Sequence, residues 1–396
     1  MYRGKSIAVV VPAYNEEGFV GDVIDGIPGF VDRLYVVDDR STDGTWAEVR
    51  RHVRRANDRR GSRETENAEP TAPATAGATA TGRTNSTAVG EADSPADGRA
   101  NEEHADGGGA GVGSRESNGT GVPDGGDGAD RWAHAVRHGA NRGVGAAIKT
   151  GYRLAARDGV DVTAVMNGDG QMDPAILDRI VHPVATGAAD YAKGDRLLDR
   201  DHRAGMTSWR FLGNAALSLL TKVASGYWQV QDSQNGYTAI SADAIATLDL
   251  DAVYDDYGFL NDVLVHLNAH SMTVADVRMQ AVYRDEESSI GYAEFIPRVS
   301  RLLLGRFLWR LRTKYVVREF HPLVFLYPIG VAGGVASAAL FAWVVVAVAT
   351  AAAPATATVT VAGVACAVGL VAAWFVVAAM VCDAVHNERL QRRELR

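Results

Sequence analysis

Residues 322–382 contain no Asp, Glu, Lys or Arg, and within them two apolar stretches, 323–350 and 359–382, flank a Pro/Thr-containing turn near Pro354. About 20 apolar residues span a bilayer, so this region predicts two membrane helices joined as a hairpin. A soluble helical pair of that length would carry charge on its outer face. Arg298, Arg301, Arg306, Arg310, Arg312, Lys314 and Arg318 precede the first span, and Arg389, Arg392, Arg393 and Arg396 follow the second. By the positive-inside rule both flanks are cytoplasmic, which makes the chain a multi-pass protein of the cell membrane with its large N-terminal region in the cytoplasm. The sequence before the hairpin, 291–321, mixes these cations with Phe295, Leu303, Leu304, Phe307, Leu308 and Trp309, the pattern of a basic amphipathic helix lying among lipid headgroups. Residues 383–396 read as a cytoplasmic tail.

The whole chain has a formal net charge of −8, which argues against nucleic acid as a partner. The acidity is local. Residues 61–130 hold 13 Asp/Glu against 4 Arg, leaving the rest at +1, and they contain 15 Gly, 4 Pro and only Val89, Val112 and Val122 as large apolar side chains. Such a stretch cannot bury enough surface to offset its ordering entropy, so 58–130 is expected to be a disordered acidic insertion. The two cysteines, Cys366 and Cys382, lie in the apolar region, which excludes a disulfide framework and a cysteine-based zinc site. A strand-like run begins at residue 6, so no signal peptide is expected.

Short apolar runs at 6–11, 34–37 and 162–166 alternate with helical spacing at 16–27 and 144–157, the signature of buried parallel strands joined by helical crossovers. This predicts an α/β domain over 1–290, with further helices at 208–223 and 259–269 and strands near 237–240 and 272–277. Each run ends in polar residues. Pro12, Tyr14, Asn15 and Glu16 follow the first, and Asp38, Asp39, Ser41, Thr42, Asp43 and Thr45 the second. Asn141, Arg142, Gly143 and Gly145 open the third helix, and Asn167, Gly168, Asp169, Gly170 and Gln171 follow the third run. Taken singly these are ordinary caps and turns, but open α/β sheets bind their ligands where strand ends converge.

In this order the four motifs resemble an inverting family 2 glycosyltransferase with a GT-A nucleotide-sugar-binding fold, and within it the dolichyl-phosphate and polyprenyl-phosphate sugar synthases. The likeness covers about residues 6–291 apart from the insertion, and the skew of 35 Arg to 5 Lys suits an archaeal source. The resemblance implies that Pro12, Tyr14 and Glu16 hold the nucleoside, that Val37 and Asp39 border the base, and that Lys149 and Arg284 also face the nucleotide. It implies Mg²⁺ or Mn²⁺ at Asn167, Asp169 and Gln171, whose oxygen donors suit a hard cation on a diphosphate. Asn167 stands where the family has an acidic residue, which leaves Asp169 as the main anionic ligand. Asp169, Arg196 and Asp232 are the implied catalytic residues, and Arg196 with Arg210 would meet the acceptor phosphate. Thr238 replaces a usual Arg after the Gly-aromatic pair Gly236-Tyr237, and Ser289 a usual Lys in the closing loop, where Arg284 would supply the positive charge.

The implied reaction moves a hexose from a UDP- or GDP-sugar to dolichyl or polyprenyl phosphate, for protein glycosylation or surface glycan assembly. Two other readings compete with it. A transferase extending a lipid-linked or polysaccharide glycan would act on a sugar hydroxyl and need a carboxylate base, Asp232 or Asp262. An inactive nucleotide-sugar-binding membrane scaffold would account for Asn167. The expected partners are the nucleotide sugar, the lipid phosphate and the membrane; the oligomeric state, homo-oligomer included, is left open.

Overall fold

The structure is a computed structural model and describes residues 1–68, 131–196, 208–279 and 292–394. In chain order its elements are β1 (Ile7–Ala13), α1 (Val20–Gly26), β2 (Arg33–Asp38), α2 (Thr45–Ala68), β3 (Ala133–Arg137), α3 (Val144–Arg157) and β4 (Val162–Val165). They continue as α4 (Leu177–Ala185), β5 (Tyr191–Asp195), α5 (Ser208–Ser225), β6 (Thr238–Ser241), α6 (Ala242–Thr247), α7 (Phe259–Ala269) and β7 (Val274–Arg278). The C-terminal elements are α8 (Tyr292–Arg312), α9 (Leu323–Ala349), α10 (Ala355–Asn387) and β8 (Gln391–Glu394). The described residues within 1–59 and 121–396 belong to one compact unit, and 60–120 is assigned to a second. Of the second, only the end of α2 is described. Helix α2 runs to Ala68, which corrects the expected insertion boundary: residues 58–68 are helical. The remainder of that segment, 69–130, lies outside the described residues.

The strands form one sheet in the order β3-β2-β1-β4-β6-β5-β7-β8, parallel except for β6, which runs antiparallel to β4 and β5. Strand β1 explains why both faces are covered. Its alternate residues Ile7, Val9 and Val11 pack with Val23, Val49, Leu177 and Val181 on one side, while Ala8 and Val10 pack with Ile148, Tyr152 and Leu264 on the other. The expected α/β class therefore holds, and the polar ends of β1, β2, β3, β4 and β5 share one edge with the connection that enters β6.

Outside α7 lies a further helical layer. Leu217 and Ala224 of α5, Val265 of α7, and Val299 and Leu303 of α8 form one buried cluster. Helix α8 is thus half packed rather than wholly on the surface. Arg301, Leu304, Leu308 and Arg312 keep an outward stripe, with Leu304 at 60% and Leu308 at 58% exposure. Three cations assigned to a membrane-facing collar turn inward instead. Arg306 pairs with buried Asp262 at 2.8 Å, Arg310 is fully buried against Asp383 at 2.9 Å, and the Lys314 ammonium donates to Asn268 and Asn387. Burial pushes the Lys314 amine down to about 8, with the neighbouring Arg310 acting in the same direction.

Helices α9 and α10 are long and apolar enough to cross a membrane. They pack on each other, the Ser337 hydroxyl donating to the Ala365 carbonyl at 2.8 Å, yet Val331, Val345, Leu370 and Trp374 face outward at 61–73% exposure. An apolar surface of this extent requires an apolar surrounding. At 33 residues α10 is about 50 Å long, more than the ~30 Å hydrocarbon thickness needs, and its last turn reaches into the α7–α8 layer. The segment assigned as a tail then becomes β8, parallel to β7 with Val274 opposite Gln391, a strand that the sequence reading did not anticipate.

Candidate active site

At the end of β1 the Pro12 carbonyl accepts the Gly168 N–H at 3.1 Å and the Ala13 carbonyl accepts the Asp39 N–H at 2.9 Å, so three of the expected motifs meet on one backbone. The loop that follows is laced to the second motif. Asn15 N–H donates to Ser41 Oγ at 3.0 Å, Glu16 N–H to Thr45 Oγ1 at 2.7 Å, and Gly18 N–H to Glu48 Oε2 at 2.7 Å. Asn15 and Arg40 both adopt positive φ, 56° and 68°, so the two strand ends turn sharply beside one another. Tyr14 projects outward at 43% exposure and Glu16 is half-buried, while Pro12 is buried. Val37 is fully buried with Val10 and Val136, so its side chain shapes the core beneath the edge rather than bordering a ligand.

Asp39 is nearly buried and well supplied with donors. Its carboxylate faces His138 Nδ1 at 2.7 Å and accepts the N–H groups of Arg142 at 2.9 Å and Gly143 at 2.7 Å. His138 in turn contacts Thr150 Oγ1 at 3.0 Å. Asp39 therefore ties the second motif to the third. Asp38 is likewise engaged, paired with Arg137 at 2.8 Å. Neither His138 nor Arg137 stood out in the sequence, since a polar residue ending or following a short strand has no signature of its own.

The Gly-rich opening of α3 serves a neighbouring loop. Gly143 has φ 93°, and a Cβ there would come within 2.6 Å of the Asp255 carbonyl. Ala146 N–H donates to that carbonyl, and the Lys149 ammonium, buried at 3% exposure, donates to the Val253 carbonyl at 2.7 Å and pairs with the Asp255 carboxylate. Lys149, expected beside the nucleotide, is taken up in holding residues 253–255.

In the turn after β4, Asp169 Oδ1 accepts the Gln171 N–H at 2.9 Å, and the Asn167 carboxamide lies against Gly236. Asn167, Asp169 and Gln171 are half-buried and offer hard oxygen donors with one carboxylate among them. Among the described residues no group of three or more His, Cys, Asp or Glu is placed to hold a metal ion, so an ion here would depend on oxygens of a bound diphosphate. Gly236 belongs to the connection before β6, which also carries Asp232. Arg196 grips Asp232 as a fork, Nε at 2.7 Å from Oδ2 and Nη2 at 3.2 Å from Oδ1, with the arginine side chain 37% exposed. Burial by itself would raise the Asp232 pKa, but the hydrogen bonds and charge of Arg196 outweigh it and hold the carboxyl below its ordinary range. Asp262 is fully buried beneath Arg306 and accepts the Tyr254 N–H at 2.8 Å; its pKa is raised by burial against the opposing pull of Arg306. Arg284 lies outside the described residues, and Arg210 sits on α5 with its backbone alone described.

The family profile described as glycosyl transferase family 2 matches residues 8–78. An undecaprenyl-phosphate mannosyltransferase of Micrococcus luteus is 30% identical over 171 residues, which cover 41% of this chain and 69% of that protein. The chain belongs to glycosyl transferase family 2. A UDP-N-acetylglucosamine–dolichyl-phosphate N-acetylglucosaminyltransferase of Methanococcus voltae is 27% identical over 157 residues, 40% of this chain and 62% of that relative, so the match spans less than two thirds of the relative's length. Among solved structures, glucosyl-3-phosphoglycerate synthase from Mycobacterium tuberculosis with Mn²⁺, UDP and glucosyl-3-phosphoglycerate superposes with a TM-score of 0.45 at 17% identity, over 78% of this chain and 80% of that one.

Proposed function

We propose that this chain is an inverting hexosyltransferase that moves a sugar from a UDP- or GDP-sugar to dolichyl or another polyprenyl phosphate at the cytoplasmic face of a membrane spanned by α9 and α10. One observation carries the reading: both carboxylates that a sugar-hydroxyl acceptor would need as base are already engaged. Asp232 is held ionised and weakly basic by Arg196, and Asp262 is sealed under Arg306. A lipid phosphate has a second pKa near 6 and arrives anionic at neutral pH, so it needs alignment and a cation rather than a base. The half-exposed Arg196, directly after β5 and oriented by Asp232, supplies that cation. The names of the Micrococcus and Methanococcus relatives, both polyprenyl- or dolichyl-phosphate transferases, support the same acceptor class.

On this reading Tyr14 and Glu16 line the nucleoside's side of the edge, and Asp39 fixes the Asn141–Gly143 turn against it. The phosphate oxygen attacks the anomeric carbon on the face opposite the diphosphate, which inverts the configuration. Asn167, Asp169 and Gln171 fit a Mg²⁺ or Mn²⁺ ion, which when bound neutralises charge on the departing nucleoside diphosphate. The outward stripe of α8, with Arg301 and Arg312 flanking Leu304 and Leu308, suits headgroup contact and would bring the site edge to the membrane surface. Screening UDP- and GDP-sugars with Mn²⁺ and polyprenyl phosphate tests the assignment. One donor is expected to give lipid-linked sugar, and Asp169→Ala to abolish transfer in a chain that still folds. Normal transfer by Asp169→Ala would remove the turn from the reaction.

A further inference from the structure

We infer that the strand following the hairpin belongs to the framework of the acceptor site, with Gln391 as a positioning residue for the Arg196–Asp232 pair. The inference rests on the reading of that pair as the acceptor-phosphate contact. Asp232 lies in residues 226–237, the connection between α5 and β6, which has no regular secondary structure. A connection of this kind holds a side chain in place only where its backbone groups are tied down.

The Lys222 ammonium of α5 donates to the Trp228 carbonyl at 3.0 Å, and groups from the C-terminal third of the chain supply further ties. Gly226, at φ 74°, lies so close to Arg310 and Asn387 that a Cβ would approach Arg310 Nη1 to 2.4 Å. The Tyr227 hydroxyl donates to the Met272 carbonyl at 2.6 Å. The Gln229 N–H donates to Gln391 Oε1 at 2.6 Å, and the Gln391 amide is itself fixed by donating from Nε2 to the Asn387 carbonyl at 3.1 Å. Gln391 is 6% exposed, so removing its oxygen takes from the Gln229 N–H its protein partner at a largely buried position. Two residues on, the Gln231 N–H donates to Asp276 Oδ2 at 3.0 Å, and Asp276 is paired with Lys193 at 3.3 Å. Asp232 comes next and grips Arg196.

Gln229 and Asp232 are three residues apart, about 10 Å of extended chain, with one further tie between them. The last turn of α10 thereby reaches Asp232 through Asn387, Gln391 and Gln229. The strand pairing of β8 with β7 places Gln391 opposite Val274 and so fixes where its amide oxygen stands. The consequence is specific to the acceptor side. The Gly143, Asp39 and Glu16 contacts make no use of this path, so loosening it leaves the nucleotide's surroundings in place.

The test uses the full-length protein in detergent or nanodiscs with the active nucleotide sugar and polyprenyl phosphate. Gln391→Met keeps the side-chain volume and removes the acceptor oxygen, whereas Gln391→Glu retains an oxygen for the Gln229 N–H. Gln391→Met is expected to lower kcat/KM for polyprenyl phosphate about tenfold, the loss of one hydrogen bond, while KM for the nucleotide sugar stays within about twofold. Gln391→Glu loses the donor to the Asn387 carbonyl while keeping an oxygen for Gln229, so it is expected to recover only part of the loss. Hydrogen exchange of amides 226–232 should be slow in the wild-type chain and faster in Gln391→Met. Fast wild-type exchange at Gln229 overturns the inference even if Gln391→Met fails to fold. So does a Gln391→Met chain with unchanged acceptor kinetics, or one that loses both substrates equally. A wild-type chain that transfers nothing to polyprenyl phosphate removes the acceptor reading and this inference with it; a wild-type chain that transfers while Gln391→Met matches it removes only the inference.

Discussion

Arg196 meets Asp232 through two N–H groups of a planar guanidinium, a geometry that an ammonium cannot reproduce. Arg196→Lys is therefore expected to lower kcat/KM for the lipid phosphate about 10- to 100-fold, and Arg196→Ala further, with the nucleotide-sugar KM little changed. Steady-state kinetics with each substrate varied in turn would show it; equal loss for both substrates would place Arg196 elsewhere in the reaction. At this scale the sequence conveyed residue type better than residue duty. Asp39 stood out as a carboxylate at a strand end, but nothing in the order of residues showed that His138 and two backbone N–H groups would converge on it. Lys149 has a similar explanation. It sits one helical turn into α3, and only the fold brings the carbonyl of Val253, more than a hundred residues away in sequence, against its ammonium.

The α7–α8 packing is an element-scale feature with a pH signature. His266 is buried with its ring 4.5 Å from that of Trp309, and burial, reinforced by Arg306, pushes its pKa down to about 4. The unfolded chain takes up a proton on this residue near pH 6.5, whereas the folded chain refuses it until about pH 4. The stability His266 permits is thus present above pH 6.5 and is lost as pH falls toward 4, with the raised pKa of Asp262 offsetting part of the loss at the acid end. His266→Phe keeps a ring on Trp309 and is expected to reduce the fall in Tm between pH 7 and pH 5 by about 5 °C. An unchanged pH dependence would show that the folded chain protonates His266 as readily as the unfolded one, with Asp262 at 3.6 Å holding the charge. The Arg310–Asp383 pair joins α8 to α10 with both side chains fully buried. Asp383→Leu alone strands a buried cation and should cost about 3–5 kcal/mol, while Arg310→Met with Asp383→Leu should recover most of it, as thermal unfolding in detergent would measure. The hairpin, α3 and the strands were legible in the sequence because apolar runs and periodicity report local burial. The inward turn of Arg306, Arg310 and Lys314 was not, since a run of cations looks the same whether it faces lipid or pairs with Asp262 and Asp383.

On the scale of the whole molecule, the chain leaves the catalytic sheet after β7, passes through α8, α9 and α10, and returns to the sheet as β8. That return was hidden because Gln391–Glu394 is a short polar run with no strand pattern, and only pairing with β7 makes it a strand. The strand expected near 237–240 is β6, but its antiparallel direction was not legible, because four residues, Thr238–Ser241, carry too little pattern to state one. None of the residues proposed for the reaction lies in 69–130, so deleting that segment behind a short flexible linker is expected to leave transfer within about threefold. Complete loss of transfer with the fold intact would give the segment a part in the reaction. The central claim is that the acceptor is a phosphate already anionic at neutral pH, met by Arg196 without a carboxylate base. It is tested most directly by incubating the purified chain and Mn²⁺ with radiolabelled UDP- or GDP-hexose, offering polyprenyl phosphate in one reaction and the corresponding polyprenol in another. Mild-acid-labile labelled lipid from the phosphate alone is the expected result, and transfer to polyprenol, or only to a lipid-linked sugar, would contradict it.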